Sequence, residues 1–124
     1  MPRIYSRRVF VKGETRSGNF SVPVGVTRFR LRLSRDDWPD IDKEGAEGEV
    51  IYAEIQFSFD GGETWPMGRG IGSHGGQHFT LQGALLPEIS TAERVPQRNN
   101  PNRRIRVRIR TRKDINSQVN VDLA

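Results

Sequence analysis

The fold is decided by residues 49–65, which read EVIYAEIQFSFDGGETW. Apolar and polar side chains alternate here at period two, which is typical of a strand with one face on a core and one partly in water. The inward set is Ile51, Ala53, Ile55, Phe57 and Phe59. The next residues, Asp60, Gly61 and Gly62, favour a tight turn, because glycine reaches positive φ without strain and aspartate bonds its own downstream backbone.

Two further stretches show the same alternation with arginine on the outward side, namely residues 26–35 and 103–112. Shorter strands are expected within residues 3–11, 20–24, 78–86 and 118–123. Many short strands separated by glycine and proline turns indicate a sandwich or a barrel. We therefore predict an all-β fold, an antiparallel two-sheet β-sandwich that is jelly-roll-like, with about seven to eight strands and long loops.

The alternation also predicts the core. Its expected members are Phe29, Leu31, Leu33, Ile51, Ile55, Phe57, Phe79, Leu81, Ile105, Val107 and Ile109. Between the strands we expect a polar turn at residues 13–18 and a mobile glycine-rich loop at residues 66–77. A short helical turn is expected at residues 87–94, with Ser90 or Thr91 as its cap.

The length of 124 residues fits one domain. We predict an N-terminal strand or arm over residues 1–12 and a single β-sandwich domain over residues 13–124. The chain has no cysteine, which excludes disulfides and thiolate metal sites. No apolar run approaches the roughly 20 residues that span a bilayer, and the start has no apolar signal region, so we expect a soluble protein without a membrane partner.

Charge is distributed in three blocks. Residues 1–35 carry a net +8, residues 36–63 a net −9 and residues 64–124 a net +6. Arginine supplies 17 of the 20 basic residues. A GC-rich genome would explain this bias, and so would an interface, because the planar guanidinium pairs bidentately with carboxylate or phosphate.

One motif stands out at the end of the deciding stretch. Residues 58–65 resemble the Asp-box of sialidases and other β-propellers, Ser-x-Asp-x-Gly-x-Thr-Trp, and the matching residues are Ser58, Asp60, Gly62, Thr64 and Trp65. In sialidases these hairpins lie away from the active site, so the resemblance implies a structural turn and not catalysis. A propeller needs at least four blades, and a chain of this length supplies about one.

Two strands carry outward arginine ladders, which are the candidate partner-binding residues Arg28, Arg30 and Arg32, and Arg104, Arg106, Arg108 and Arg110. Like charges facing each other across neighbouring strands would cost stability. Three arrangements avoid this cost: Glu54 and Gln56 lie between the ladders, the ladders lie on different sheets, or an anionic partner covers them. An acidic protein surface and a second copy of this chain both fit. Nucleic acid is disfavoured, because few aromatics interleave with the arginines.

Metal and catalytic patterns are incomplete. The acids Asp40, Asp42 and Glu44 resemble the first half of a calcium loop, but Ile51 stands where its bidentate glutamate is expected, so calcium binding stays open. The histidines His74 and His78 have no third ligand nearby for zinc. The acids of residues 36–37 could form a glycosidase pair, but nothing fixes their separation. We expect no catalytic residue, no cofactor and no enzyme.

In size, strand content, arm-like start and charge blocks, the chain is similar to the small all-β structural proteins of tailed-phage virions. That resemblance implies a capsid decoration (cement) protein, or a tail or baseplate component, located in the virion. The alternative is a carbohydrate-binding β-sandwich, with Trp38 and Trp65 as sugar platforms.

Overall fold

The computed structural model describes residues 3–34, 51–73, 80–81, 84–85, 88–112, 114 and 116–124. Within these ranges the regular elements are strands: β1 (Arg3–Val9), β2 (Gly13–Arg16), β3 (Phe20–Ser21), β4 (Arg28–Ser34), β5 (Ile51–Ser58), β6 (Met67–Ser73), β7 (Thr80–Leu81), β8 (Ala84–Leu85), β9 (Glu88–Arg94), β10 (Arg104–Thr111) and β11 (Ser117–Leu123). In the described part of the chain, no helix has the length and apolar character needed to cross a bilayer.

Nine strands of the described chain form two antiparallel sheets. The four-stranded sheet has the order β1–β11–β4–β9, and the five-stranded sheet has the order β2–β10–β5–β6, with β3 also paired to β10. The strands β7 and β8 pair with each other. Because β1 and β2 lie in different sheets, as do β4 and β5, the chain crosses repeatedly between layers, as in a jelly roll. The predicted two-sheet sandwich is confirmed, with nine strands in its sheets instead of seven to eight.

The core lies between the two sheets. Nine of the eleven predicted core residues are buried, with exposures between 0% for Phe29 and 2% for Val107. The rings of Phe29 and Phe57, one from each sheet, have centroids 5.1 Å apart, so the layers are in direct contact. The side chains of the other two predicted members, Phe79 and Leu81, lie outside the described part of the chain.

Three segments that we expected to be irregular or helical are strands. Residues 13–16, expected in a polar turn, form β2. Residues 67–73, expected in a mobile loop, form β6 beside β5. Residues 88–94, expected as a helical turn, form β9 and pair with β4 along their whole length. All three are edge strands. An edge strand has one unpaired side, so it tolerates polar and glycine-rich sequence that shows no apolar alternation.

One end of the sandwich is held by the guanidinium of Arg103, which is fully buried. It donates hydrogen bonds of 2.7 to 3.2 Å to the carbonyl oxygens of Pro23, Val26, Pro96 and Arg98. The first two carbonyls precede β4 and the last two precede β10, so one side chain joins two irregular segments. Burial lowers the pKa of the Arg103 guanidinium, but arginine stays protonated in proteins, so the carbonyl oxygens stabilise a buried positive charge.

The opposite end contains the connection between β1 and β2. The edge strand β1 pairs with β11 up to Val9, which is buried. The chain then passes through Phe10 and Val11, which are exposed, and enters β2 on the other sheet. The division into residues 1–12 and residues 13–124 stays a prediction.

Candidate functional site

The outward side of the five-stranded sheet forms the candidate site. Along β10 every second residue is buried, and the outward residues between them are Arg104, Arg106, Arg108 and Arg110. Along the neighbouring strand β5 the outward, half-buried residues are Tyr52, Glu54 and Gln56. We call the surface formed by these seven side chains the β10 face.

Two guanidinium groups of the β10 face have partners on β5. The Nε atom of Arg106 donates a hydrogen bond of 2.6 Å to Oε1 of Gln56. The Nη2 atom of Arg108 lies 3.8 Å from Oε2 of Glu54. The repulsion between the arginines of the ladder is therefore accompanied by favourable contacts, because partners on β5 orient two of its guanidinium groups.

The turn after β5 carries the Asp-box resemblance, and its hydrogen bonds centre on Asp60. Its carboxylate accepts from the Thr64 hydroxyl at 2.5 Å and from the backbone N–H groups of Glu63 and Thr64 at 3.0 and 2.9 Å. The Ser58 hydroxyl donates to it at 2.7 Å. These bonds, led by the one from the Thr64 hydroxyl, hold the pKa of Asp60 well below its usual value, because each stabilises the charged form. Gly62 has a φ of +99°, which favours glycine.

Trp65 follows this turn and extends the β10 face. The guanidinium carbon of Arg106 lies 4.1 Å from the Trp65 ring centroid, which is a cation–π contact. A Cβ on Gly62 would lie 3.3 Å from the Asn19 amide nitrogen and 3.7 Å from the Trp65 ring, so this glycine lets both side chains approach the backbone. The structure thus joins the turn and the β10 ladder, which the sequence presented as separate motifs.

The glycines of β6 shape the other side of the β10 face. They lie opposite the outward residues of β5. A Cβ on Gly70 would collide with the hydroxyl and ring of Tyr52, so the tyrosine lies across β6 where glycine leaves room. The guanidinium carbon of Arg110 is 5.8 Å from the centroid of the same ring. The glycines that indicate a loop in the sequence therefore belong to a strand, where Gly70 leaves room for the side chain of Tyr52.

An open cavity of about 450 Å³ lies on the β10 face toward β2. Its walls are formed by Arg16, Ser17, Asn19, Glu54, Gln56, Arg106, Val107 and Arg108. The Ser17 hydroxyl accepts the Val107 N–H at 2.7 Å, which fixes one wall. The volume falls within the range of about 300–1,000 Å³ that is usual for ligand pockets, and the walls are polar.

Cations outnumber carboxylates around this cavity. The β10 face and the adjoining end of β2 contain five arginines and two glutamates, which are Arg16, Arg104, Arg106, Arg108, Arg110, Glu14 and Glu54. Arg16 donates a hydrogen bond of 2.6 Å to Glu14, which lowers the pKa of that glutamate. An excess of three positive charges remains among the seven groups, and oriented guanidinium groups bind carboxylates and phosphates well.

The second arginine ladder lies on the opposite outer surface of the sandwich, because β4 belongs to the four-stranded sheet. Of the three arrangements considered from the sequence, the ladders occupy different sheets. Arg32 donates a hydrogen bond of 3.3 Å to Glu88, and Arg30 lies 3.9 Å from the same carboxylate. Arg28 is exposed. The seven candidate arginines therefore form two surfaces and not one.

Several residues considered from the sequence lie outside the described residues, namely Trp38, Asp40, Asp42, Glu44, His74 and His78. Across the ranges that the structure describes, no three histidine, aspartate or glutamate side chains form a group that could hold a metal ion. The calcium hypothesis therefore stays a prediction.

Sequence reasoning missed the cavity residues on and after β2, namely Arg16, Ser17 and Asn19, because this segment reads as a turn. It also missed the role of Tyr52, which depends on contacts with a strand of little side-chain pattern. The burial of Arg103 could have been predicted, because it lies two and four residues before the inward residues Ile105 and Val107 and so falls on the same side of the strand.

No protein-family model and no curated protein matches the sequence. Among solved structures, the chain is similar to TmCBM61 in complex with β-1,4-galactotriose, with a TM-score of 0.52 and 10% identity, over 97% of this chain and 70% of that one. It is also similar to the VP2 subviral particle of infectious bursal disease virus, with a TM-score of 0.50 and 11% identity, over 94% of this chain and 31% of that one.

At these identities the likeness shows the fold alone. The structural neighbours include a carbohydrate-binding module and a viral capsid protein, both β-sandwiches. The chain spans less than a third of the VP2 chain. The class that the fold defines is an antiparallel two-sheet β-sandwich.

Proposed function

We propose that the protein is a non-enzymatic structural and interaction component of a larger assembly, and that it docks onto an acidic protein surface through the β10 face. The assembly is a tailed-phage virion, with the chain as a capsid decoration protein or as a tail or baseplate component. The observation that carries the proposal is the excess of three positive charges on a face where two of the guanidinium groups, those of Arg106 and Arg108, are already oriented.

Orientation matters because ordering a long side chain at an interface costs about 0.5–1.5 kcal/mol. Arg106 is held by Gln56 and by the Trp65 ring, so much of this cost is met before a partner arrives. A guanidinium has five N–H groups, and the bond to Gln56 uses one from Arg106. The terminal N–H groups then supply the donors for bidentate pairing with a carboxylate of the partner.

The virion location is tested on particles of the phage whose genome encodes the chain. We expect gradient-purified particles to contain the chain in a fixed ratio to the major capsid or tail protein, as measured by quantitative mass spectrometry. Gold-labelled antibodies then distinguish head from tail by electron microscopy. A chain found free in the lysate and missing from purified particles would contradict the virion proposal.

A second candidate function is carbohydrate binding, and a specific observation favours it. Trp65 and Tyr52 flank the same surface as Glu54 and Gln56, which is an arrangement suited to stacking and hydrogen bonding with a sugar. It ranks second because a guanidinium already covers one side of the Trp65 ring.

The sugar hypothesis is tested with β-1,4-galactotriose and a general glycan array as probes. Binding by calorimetry that is lost in Trp65→Ala and retained in Arg28→Ser, on the opposite surface, would favour the carbohydrate function over protein docking. Absence of binding to every glycan of the array would contradict the carbohydrate-binding hypothesis.

A further inference from the structure

The edge strand β9 provides a second contact surface, away from the β10 face. In the described part of the chain it pairs with β4 alone, over residues 88–94 and without a register shift. The outer side of such a strand presents a regular row of backbone N–H and C=O groups, and another strand can pair with them. Three side chains of β9 are exposed, namely Ser90, Ala92 and Arg94. A regular edge with two small exposed side chains suits the addition of a strand.

β9 lacks the features that commonly protect an edge strand. Its sequence, EISTAER, contains neither proline nor lysine. Its inward glutamate, Glu93, has Oε1 at 2.8 Å from Nε of Arg69 on β6, so this charge is paired within the chain. A second strand approaching β9 therefore meets no proline and no unpaired inward charge.

The other edges of the two sheets suit self-association less well. The strand β1 carries three arginines and no carboxylate, and its pairing with β11 is irregular between Arg3 and Tyr5. The strand β2 has only four residues, and β6 has an arginine as its single charged residue. Among the described edges, β9 alone combines seven residues with charges of both signs.

One end of β9 carries a positive charge that faces another positive charge. Arg94 lies directly opposite Arg28 in the register of β4 and β9, and both side chains are exposed. Among the described residues, no carboxylate forms an ion pair with either guanidinium. Like charges directly opposite each other lower stability, so a carboxylate placed beside Arg94 would relieve this repulsion.

The other end of β9 carries such a carboxylate. Glu88 lies six residues before Arg94, so both side chains are on the outward side of the sheet. The Glu88 side chain is 39% exposed, and its Oε2 lies 3.3 Å from Nη2 of Arg32. A second β9 strand running antiparallel to the first would bring its Glu88 to the end where Arg94 lies.

One register of two antiparallel β9 strands pairs all seven residues. Its twofold axis passes beside Thr91, perpendicular to the sheet, so outward side chains of both copies share one face. Glu88 of each copy then lies opposite Arg94 of the other. On the inward side Thr91 lies opposite itself and Ile89 opposite Glu93, whose charge is already paired within its own chain. Any other register that keeps the faces aligned shortens the pairing and separates the opposite charges.

We propose that two copies of this chain associate through β9, so that their four-stranded sheets join into one antiparallel sheet of eight strands. Each Arg94 gains a carboxylate, and the backbone of each β9 gains hydrogen-bond partners on its outer side. The β10 face belongs to the other sheet, so this association is independent of the partner bound there.

Sedimentation velocity of the full chain over a wide range of concentrations tests the association. A single added strand is a small interface, so we expect a weak monomer–dimer equilibrium at the upper end of the range. Arg94→Glu should raise the dissociation constant at least about tenfold, because two carboxylates then face each other at both ends. The matched control, Arg7→Glu, makes the same change of charge on β1, at the far edge of the same sheet, and should change it less than about threefold.

Mixing two variants tests the pairing of the charges. Glu88→Arg should weaken association as Arg94→Glu does, because two guanidinium groups then face each other. An equimolar mixture of the two variants should associate again, because both ends of the mixed dimer join a carboxylate to a guanidinium. A mixture that associates no better than either variant alone overturns the proposal. A native chain that stays monomeric up to about 1 mM overturns it as well, as does equal weakening in Arg94→Glu and Arg7→Glu.

A single introduced cysteine tests the register without changing any charge. The chain has no cysteine of its own, so Thr91→Cys supplies its one thiol, at the position that faces itself across the axis. Mild oxidation should cross-link this variant into a dimer. The matched control is Ser90→Cys, whose two copies lie about 8 Å apart in the same register, beyond the reach of a disulfide. Equal cross-linking of the two variants, or none in Thr91→Cys, contradicts the register.

Discussion

Replacing Arg103 by methionine tests whether the guanidinium holds the end of the sandwich. Methionine keeps much of the buried volume but removes the donor of four hydrogen bonds. The carbonyl oxygens of Pro23 and Arg98 each keep one backbone N–H donor, whereas those of Val26 and Pro96 lose the Arg103 donor. Four hydrogen bonds from a charged group at about 1.5 kcal/mol each amount to about 6 kcal/mol. Removing a buried charge recovers about 2–3 kcal/mol of its desolvation cost. The expected net loss is about 3–4 kcal/mol of unfolding free energy.

Urea unfolding followed by circular dichroism and tryptophan fluorescence measures this loss. At about 3–4 °C per kcal/mol for a domain of this size, the melting temperature should fall by about 10–15 °C. The control is Arg112→Met, which removes an exposed arginine directly after β10, whereas Arg103 directly precedes it, and should change stability by less than about 0.5 kcal/mol. If Arg103→Met stays within about 1 kcal/mol of the native chain, the carbonyl groups find other donors and the reasoning is refuted.

Two further predictions concern the β10 face and its turn. Gly70→Ala should lower the melting temperature, because the added Cβ collides with Tyr52. In a Tyr52→Ala background the same substitution should lower it much less. An equal loss in both backgrounds would contradict the packing. The pKa of Asp60 lies below its ordinary 3.8 in the folded chain, so its contribution to stability is present above that value and is lost as pH falls through the lowered pKa. Asp60→Asn should therefore flatten the acid side of the stability–pH curve from urea unfolding below about pH 4, and an unchanged acid side would count against the bonds to Asp60.

The central strands could be predicted from sequence because their physics is local. In β4, β5 and β10 the inward residues are apolar, apart from Thr111 at the end of β10, and the outward residues are polar. Because one face must be buried, only one strand register fits this pattern. The edge strands β2, β6 and β9 do not follow this rule, since their neighbours and solvent accept polar residues and glycine. The prediction of a helical turn at residues 87–94 was wrong for the same reason, because the pairing of residues 88–94 with β4 overrides a weak local preference.

The candidate site depended more on contacts between distant residues. The sequence identified the β10 ladder and the turn at residues 58–65 separately, but their meeting at Trp65 and Arg106 follows from the register of β5 and β10. The space above Gly70 and the cavity walls on β2 arise from strand neighbours that no local pattern encodes. Placing the ladders on opposite sheets likewise required the topology.

The central claim, that the β10 face is the docking surface, is tested most directly by two triple variants with the same change in charge. One changes Arg106, Arg108 and Arg110 to Ser, and the matched control changes Arg28, Arg30 and Arg32 to Ser on the opposite surface. Both are titrated onto virions produced without the chain, after urea unfolding has shown that both are folded.

Docking should weaken at least about tenfold in the β10 variant and less than about threefold in the control, because oriented groups at a contact matter more than net charge. The salt dependence of docking should also fall in the β10 variant alone. Equal weakening in both variants, or unchanged docking of the β10 variant, would contradict the account.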